Sequence, residues 1–209
     1  MVTEEDLLKQ KIIPVYSNID SAINKKAIHA SYQAGLRYFE FTNRFENACD
    51  EFYALKRYCE SELQGMMLGA GTIKNITDAE MFLSAGATFL VSPLISIELL
   101  SFVKNKKILW IPGCASASEI GMAENAGLKL VKIFPAGILG GTAFIKAMKG
   151  PFPAMQFLVT GNIAGEITEV KDYLSAGASA VGIGTSFFTI AADEVAMINK
   201  LQKLTDGLK

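Results

Sequence analysis

Three side chains in this sequence have the types and placement for carbonyl chemistry. Lys132 lies in the run Leu130-Val131-Lys132-Ile133-Phe134, which otherwise reads as a buried strand. An ammonium is costly to bury unless it is paired or gives up its proton. A free amine attacks a ketone and forms an imine, which then serves as an electron sink. Glu40 lies between Phe39 and Phe41 in a second apolar run, and Arg44 follows it by four residues. A carboxylate beside an amine can move the protons of imine chemistry. A guanidinium just beyond a strand can clamp a carboxylate or a phosphate. Plainer readings stand beside these: a structural Lys–Glu ion pair, a lysine whose stem lies along apolar surface, and a surface arginine.

Side chains alternate along a strand, so Leu130, Lys132 and Phe134 share one face while Val131 and Ile133 share the other. If Val131 and Ile133 pack against helices, Lys132 points to the opposite side of the sheet. If Phe39 and Phe41 do the same, Glu40 points the same way as Lys132. Lys129 has the other parity and belongs at the solvent-side start of its strand.

Small and hydroxyl residues mark other strand ends. "GAGT" (69–72) supplies Gly69 and Gly71, which let backbone approach a ligand, and the hydroxyl of Thr72. "VTGNI" (159–163) and "GIGTS" (182–186) offer Thr160, Gly161, Gly184, Thr185 and Ser186, residue types suited to an anion held by backbone N–H groups.

The elements that must position these groups show themselves as a repeat. "QAGLRYFEF", "SAGATFLVS", "NAGLKLVKIF" and "SAGASAVGIG" each read as a helix end, an Ala-Gly stop and a strand. Glycine just past a helix adopts the left-handed conformation that ends it. Gly35, Gly86, Gly127 and Gly177 stand 51, 41 and 50 residues apart, so each interval suits two strand–helix units. Further strands fit "KIIPVYS", "MMLGAG", "KILWIPG" and "MQFLVTG" between them. Eight apolar strands alternating with amphipathic helices predict an α/β fold, a single-domain (β/α)8 TIM barrel over residues 1–209. Residues 1–10 read as an N-terminal helical extension, and an open doubly wound sheet is the alternative. In such a barrel, sites lie at the C-terminal ends of the strands, often with a phosphate between the last two.

Composition narrows the partners. The 209 residues are 50% apolar and 20% charged, with a net charge of -1, which argues against a nucleic-acid groove or a polybasic membrane patch. No apolar run approaches the ~20 residues of a bilayer span, and "MVTEEDLLKQK" lacks the features of a signal peptide, so a cytoplasmic location is expected. Cys49, Cys59 and Cys114 show no paired spacing and are expected as reduced thiols. The single histidine, His29, reads as a helix-face residue, and no metal site is expected.

Taken in order, these stretches resemble the 2-keto-3-deoxy-6-phosphogluconate (KDPG) and 4-hydroxy-2-oxoglutarate (KHG) aldolases from about residue 11 onward. "FEFTNRF" resembles that family's Glu-x-x-x-Arg strand end. "LGAGT", "VSP", "IPG", "VKIFPA" and "KAMKGPFP" resemble its later segments. The resemblance implies a class I aldolase with a lysine imine, no cofactor or metal, a (β/α)8 barrel and a homotrimer. It also implies cleavage of a 2-keto-3-deoxy sugar acid phosphate or of 4-hydroxy-2-oxoglutarate to pyruvate and an aldehyde. By position, Lys132 resembles the imine lysine and Glu40 the acid–base residue, with Arg44 and Thr72 resembling the carboxylate holders. Pro93, Phe134 and Thr160 resemble residues lining the imine, and Gly161, Gly184, Thr185 and Ser186 the phosphate end. Two positions depart: Asn162 stands where the family has a second glycine, so a side chain there either crowds a phosphate or adds a hydrogen bond, and "GCASASE" differs from "GxxTxxE". A non-catalytic phosphosugar-binding barrel, or another phosphosugar barrel enzyme without an amine, remains the alternative.

Overall fold

The computed structural model describes residues 2–189 and 193–209. The strands are β1 Ile12–Tyr16, β2 Tyr38–Thr42, β3 Met67–Gly71, β4 Leu90–Val91, β5 Trp110–Ile111, β6 Gly113–Cys114, β7 Leu130–Ile133, β8 Gln156–Thr160 and β9 Ala180–Ile183. All neighbouring pairs are parallel, in the order β5-β4-β3-β2-β1-β9-β8-β7-β6. The two ends of that sheet, β5 and β6, are consecutive in the chain with only Pro112 between them. The expected eight-stranded barrel is therefore present, its fifth strand divided at a proline that has no N–H to give a ladder. Pro112 still accepts at its carbonyl from the Lys132 backbone N–H at 2.8 Å, which joins the two arcs of the ring.

Helices cover the outside: α1 Glu4–Lys9, α2 Ser21–Gln33, α3 Ala48–Glu62, α4 Ile76–Ser84, α5 Ile97–Lys106, α6 Ala117–Asn125, α7 Thr142–Lys149, α8 Ile167–Ser175, α9 Thr185–Thr189 and α10 Glu194–Asp206. The four Ala-Gly stops behave alike. Gly35, Gly86, Gly127 and Gly177 have φ between 81° and 108°. In each, the glycine N–H reaches back to a last-turn carbonyl and the next N–H reaches one residue further, as Gly127 to Glu124 and Leu128 to Ala123. This double bond pattern satisfies helix-end carbonyls and turns the chain into the following strand. At the end of α5, Lys107 takes the same left-handed role with φ 55°. Ser116 caps α6, its Oγ accepting from the Glu119 N–H while the Glu119 carboxylate accepts from the Ala115 N–H, so "GCASASE" is a helix start.

The apolar residues divide into two clusters along strand parity. Phe39, Phe41, Val131, Ile133, Phe157, Val159, Val181 and Ile183 face the helices. Ile13, Val15, Phe89, Val91, Ile111, Leu130, Leu158 and Ala180 fill the barrel. Leu7 of α1 is fully buried in that inner cluster, so the N-terminal helix closes the lower end of the barrel. Burying such a leucine contributes about 2 kcal/mol. His29 of α2 contacts Glu194 of α10 through Nδ1 and Gln33 through Nε2, a pairing between surface helices.

Gly127 has open space around its Cα, so Gly127→Ala should meet only backbone strain. Its expected cost is about 1–2 kcal/mol, read as a lower urea midpoint with an unchanged slope. Burial pushes the Cys59 and Cys114 thiols up, to about 11 and about 12. Because the folded state holds these protons more tightly, their contribution to stability is complete below about pH 9 and is lost as pH rises through 11–12. Urea midpoints measured from pH 8 to 11 should fall, and Cys59→Ala should flatten that fall.

Candidate active site

Glu40 is held by its neighbours. Phe39 meets Phe188 at 6.3 Å between ring centroids, and Phe41 meets Phe45 and Phe52 at 6.1 and 5.8 Å, all on the helix side of β2. With both flanking rings anchored outside, Glu40 must point into the barrel, where it is 0% exposed. On the other arc, Val131 and Ile133 face the helices and turn Lys132 inward at 5% exposure. Lys132 Nζ donates to Glu40 Oε1 at 3.1 Å and lies 3.4 Å from Oε2. The Phe134 ring lies beside the ammonium, with its centroid 5.5 Å from Nζ. Two buried opposite charges thus satisfy one another across the barrel, the arrangement that makes burial of either tolerable.

Lys132 opens upward into a cavity of about 400 Å³ at the C-terminal ends of β7, β8 and β9, with Glu40 behind it and outside the lining. Among the residues predicted from sequence, Lys132, Arg44, Phe134, Thr160, Gly161, Asn162, Gly184, Thr185 and Ser186 line it. Arg44 is exposed at the mouth. It also borders a neighbouring depression lined by Thr72 and Lys74. Thr72, with φ 62°, lies in that depression and outside the lining of the main cavity. Pro93 is likewise outside the lining; its carbonyl presses against Gly113, where a Cβ would stand 2.3 Å from the Pro93 carbonyl carbon.

Thr160 is 3% exposed, and its Oγ1 has no hydrogen-bond partner among the described residues. A buried hydroxyl left unpaired costs about 1–3 kcal/mol, so this oxygen is ready for a ligand group in the cavity. Ser186 Oγ donates to the Ile163 carbonyl at 3.3 Å, tying the start of α9 to the loop after β8.

Val15, Pro135, Ile163 and Gly182 also line the cavity; the last three lie in stretches singled out from the sequence without being given a role there, and Val15 had no signal. Gly182 has a positional reason: a Cβ there would come 2.4 Å from Thr160 Cγ2. Gly69 and Gly71 correct the expectation that backbone approaches a ligand at "GAGT". A Cβ at Gly69 would strike the Phe89 ring at 2.3 Å, and one at Gly71 would strike Glu40 Oε1 at 2.1 Å and Cγ at 2.6 Å. These glycines make room for inward side chains. The arrangement joins a buried amine, a carboxylate in contact with it, an unpaired hydroxyl and an arginine at the mouth of one small chamber. Such a set can form an imine with a ketone, shuttle its protons and hold an anionic group nearby.

The comparisons with known proteins agree with this chemistry. The family described as KDPG and KHG aldolase matches residues 3–203. The chain is 31% identical over 207 residues to the 2-dehydro-3-deoxy-phosphogluconate aldolase of Treponema pallidum (strain Nichols), covering 96% of this chain and 94% of that protein. The crystal structure of the KDPG aldolase of Zymomonas mobilis ZM4 with 3-phosphoglycerate superposes with a TM-score of 0.83 at 26% identity, over 96% of this chain and 94% of that one. A KDPG aldolase from Legionella pneumophila, with pyruvate captured as a covalent carbinolamine intermediate, superposes with a TM-score of 0.78 at 27% identity, over 96% and 93%.

Overfilling at Gly71 should be felt at the carboxylate. Gly71→Ala is expected to cost about 1–3 kcal/mol of stability, measured by urea unfolding. In Glu40→Ala, where the obstructing carboxylate is gone, the same substitution should cost clearly less.

Proposed function

The chain belongs to the KDPG and KHG aldolase family, and from that membership we propose that it is a class I aldolase releasing pyruvate from a 2-keto acid. The substrate is a 2-keto-3-deoxy sugar acid phosphate or 4-hydroxy-2-oxoglutarate, and the other product is glyceraldehyde 3-phosphate or glyoxylate. The observation that carries this reading is the Lys132 amine, buried in a barrel with a carboxylate 3.1 Å away.

The Lys132 amine, having passed a proton to Glu40, attacks the C2 ketone, and loss of water gives an iminium. Removal of the C4 hydroxyl proton sends the C3–C4 bonding pair into the iminium, and the aldehyde leaves. The resulting enamine takes a proton at C3 and is hydrolysed to pyruvate, which frees the amine. Glu40, directly or through a water, moves these protons because it already touches the nitrogen that reacts. Arg44 holds the 2-keto carboxylate from the mouth of the cavity, while Thr72 stands beside that grip, in the depression that Arg44 also borders. That grip fixes C2 toward the amine, the orientation that converts binding into rate. Phe134 and Thr160 enclose the imine, while Gly161, Gly184, Thr185 and Ser186 receive the far end of the substrate. Pro93 supports the wall through its contact with Gly113.

A homotrimer in the cytoplasm belongs to the same reading. The exposed Tyr53, Ile76, Met81 and Ile97 support subunit contacts, and sedimentation would give the mass of the assembly.

Incubation with pyruvate and borohydride should add one reduced pyruvate to the wild-type chain, read by mass spectrometry, and none to Lys132→Met. An adduct of undiminished yield in that variant would remove the lysine from the mechanism. Lys132→Met leaves Glu40 buried without its partner, a loss of about 3–5 kcal/mol, so circular dichroism must accompany it. Glu40→Gln should stay folded and lower kcat at least a hundredfold; near-normal turnover would exclude the carboxylate.

A further inference from the structure

Strand parity puts two hydroxyls on the inner wall that the mechanism above leaves unused. Glu40 and Thr42 are two residues apart on β2 and so face the same way, into the barrel. Val15 lies opposite Glu40 in the β1–β2 ladder, so Ser17, two residues beyond Val15, is level with Thr42. Their oxygens, Ser17 Oγ and Thr42 Oγ1, are 2.6 Å apart, and either can donate to the other. Thr42 is 1% exposed, whereas Ser17 is half-buried. The two hydroxyls thus run from the interior toward solvent.

Register also sets them beside the carboxylate. Thr42 is opposite Gly71 in the β2–β3 ladder, and neighbouring strands are about 4.8 Å apart. The Glu40 side chain leans along its strand onto that same glycine: a Cβ at Gly71 would stand 2.1 Å from Oε1 and 2.7 Å from Cδ. The carboxyl group therefore lies at the level of Thr42, next to it on the inner wall.

The carboxylate has a use for such a neighbour. It is 0% exposed and outside the cavity lining, behind Lys132. An ammonium carries three protons that it can pass between carboxylate and water. An iminium carries one, on a nitrogen committed to the substrate. Through the imine stages the amine no longer connects Glu40 with solvent. Two hydroxyls whose mutual bond runs in either direction can do so. With Ser17 donating, the Thr42 proton is left for the interior; with Thr42 donating, the Ser17 proton is left for water.

The geometry points to Thr42 and Ser17 as positioning residues that line up a proton path between Glu40 and solvent. The inference rests on the aldolase reading above, in which Glu40 handles the protons. Outward, the carboxylic proton passes to the Thr42 oxygen, the Thr42 proton to the Ser17 oxygen and the Ser17 proton to water. Each hydroxyl oxygen forms one O–H bond and breaks one, leaving a carboxylate and a hydrated proton. The inward passage reverses every step.

The experiment follows deuterium entering the methyl group of pyruvate in D2O by NMR. Beside it, kcat for pyruvate release is measured on whichever of 2-keto-3-deoxy-6-phosphogluconate and 4-hydroxy-2-oxoglutarate the wild type cleaves faster. Exchange requires that a proton taken from C3 leave the site before one returns, whereas cleavage passes protons between substrate atoms and Glu40. Thr42→Val keeps the shape and removes the hydroxyl. It is expected to lower exchange about tenfold or more, and kcat by at least five times less. Ser17→Ala, where water partly replaces the lost hydroxyl, should lower exchange about threefold or more with the same bias. Thr42→Ser restores the hydroxyl and should return exchange to within about twofold of wild type. A parallel fall of exchange and cleavage in Thr42→Val overturns the path, since a merely structural role moves both together. Wild-type exchange in Thr42→Val and Ser17→Ala overturns it as well. Borohydride trapping of pyruvate on each variant keeps the two readings apart. A wild type that traps no pyruvate removes the aldolase reading and the path together; intact trapping with an unmoved ratio of exchange to cleavage removes the path alone.

Discussion

One ion pair sets the terms for the interior of this barrel. Moving either Lys132 or Glu40 out of water alone costs several kcal/mol even after relaxation, and their contact at 3.1 Å is what makes both positions habitable. Everything around the pair serves its geometry. Outward phenylalanines on β2 and outward β-branched residues on β7 aim the two side chains at each other. Gly71 yields the volume that the carboxylate occupies, and the Phe134 ring lies beside the amine. A buried pair of this kind contributes little net stability against an apolar substitute. Its retention is better explained by what an enclosed amine beside a proton acceptor can do to a ketone.

The chamber above the pair is asymmetric in the way a two-ended substrate requires. On the side of β2 its mouth carries the Arg44 guanidinium. Toward β8 and β9 it is built from glycine, hydroxyl and amide groups. The two sides of the chamber thus offer different chemistry to a ligand. The Thr160 oxygen, without a partner among the described residues, lies inside the chamber two residues beyond Leu158, the β8 residue opposite Lys132.

Much of this was legible in the sequence because parity and punctuation are local. Phe39 and Phe41 flanking Glu40 told which way the carboxylate faced, and the Ala-Gly stops told where helices turn into strands. Other features depend on how distant segments approach. Gly69 and Gly71 read as ligand-facing from their types alone, yet the side chains they accommodate, Phe89 and Glu40, come from adjacent strands. The role of Val15 was invisible for the same reason. Thr72 follows the correct strand, but its left-handed backbone carries it to the neighbouring depression, and no periodicity encodes that turn. The fifth strand was expected as the continuous run "KILWIPG", and the structure divides it at Pro112, the seam of the ring.

That seam has a bearing on how the protein comes into being. The strand carrying the acid belongs to the arc that ends at β5, whereas the strand carrying the base belongs to the arc that follows Pro112, and 92 residues separate the two groups. A nascent chain emerging from the ribosome therefore displays a glutamate with no cation to answer it until the second arc has been translated. Chemical competence arrives only with circumferential closure, and neither half of the gene product can possess it alone.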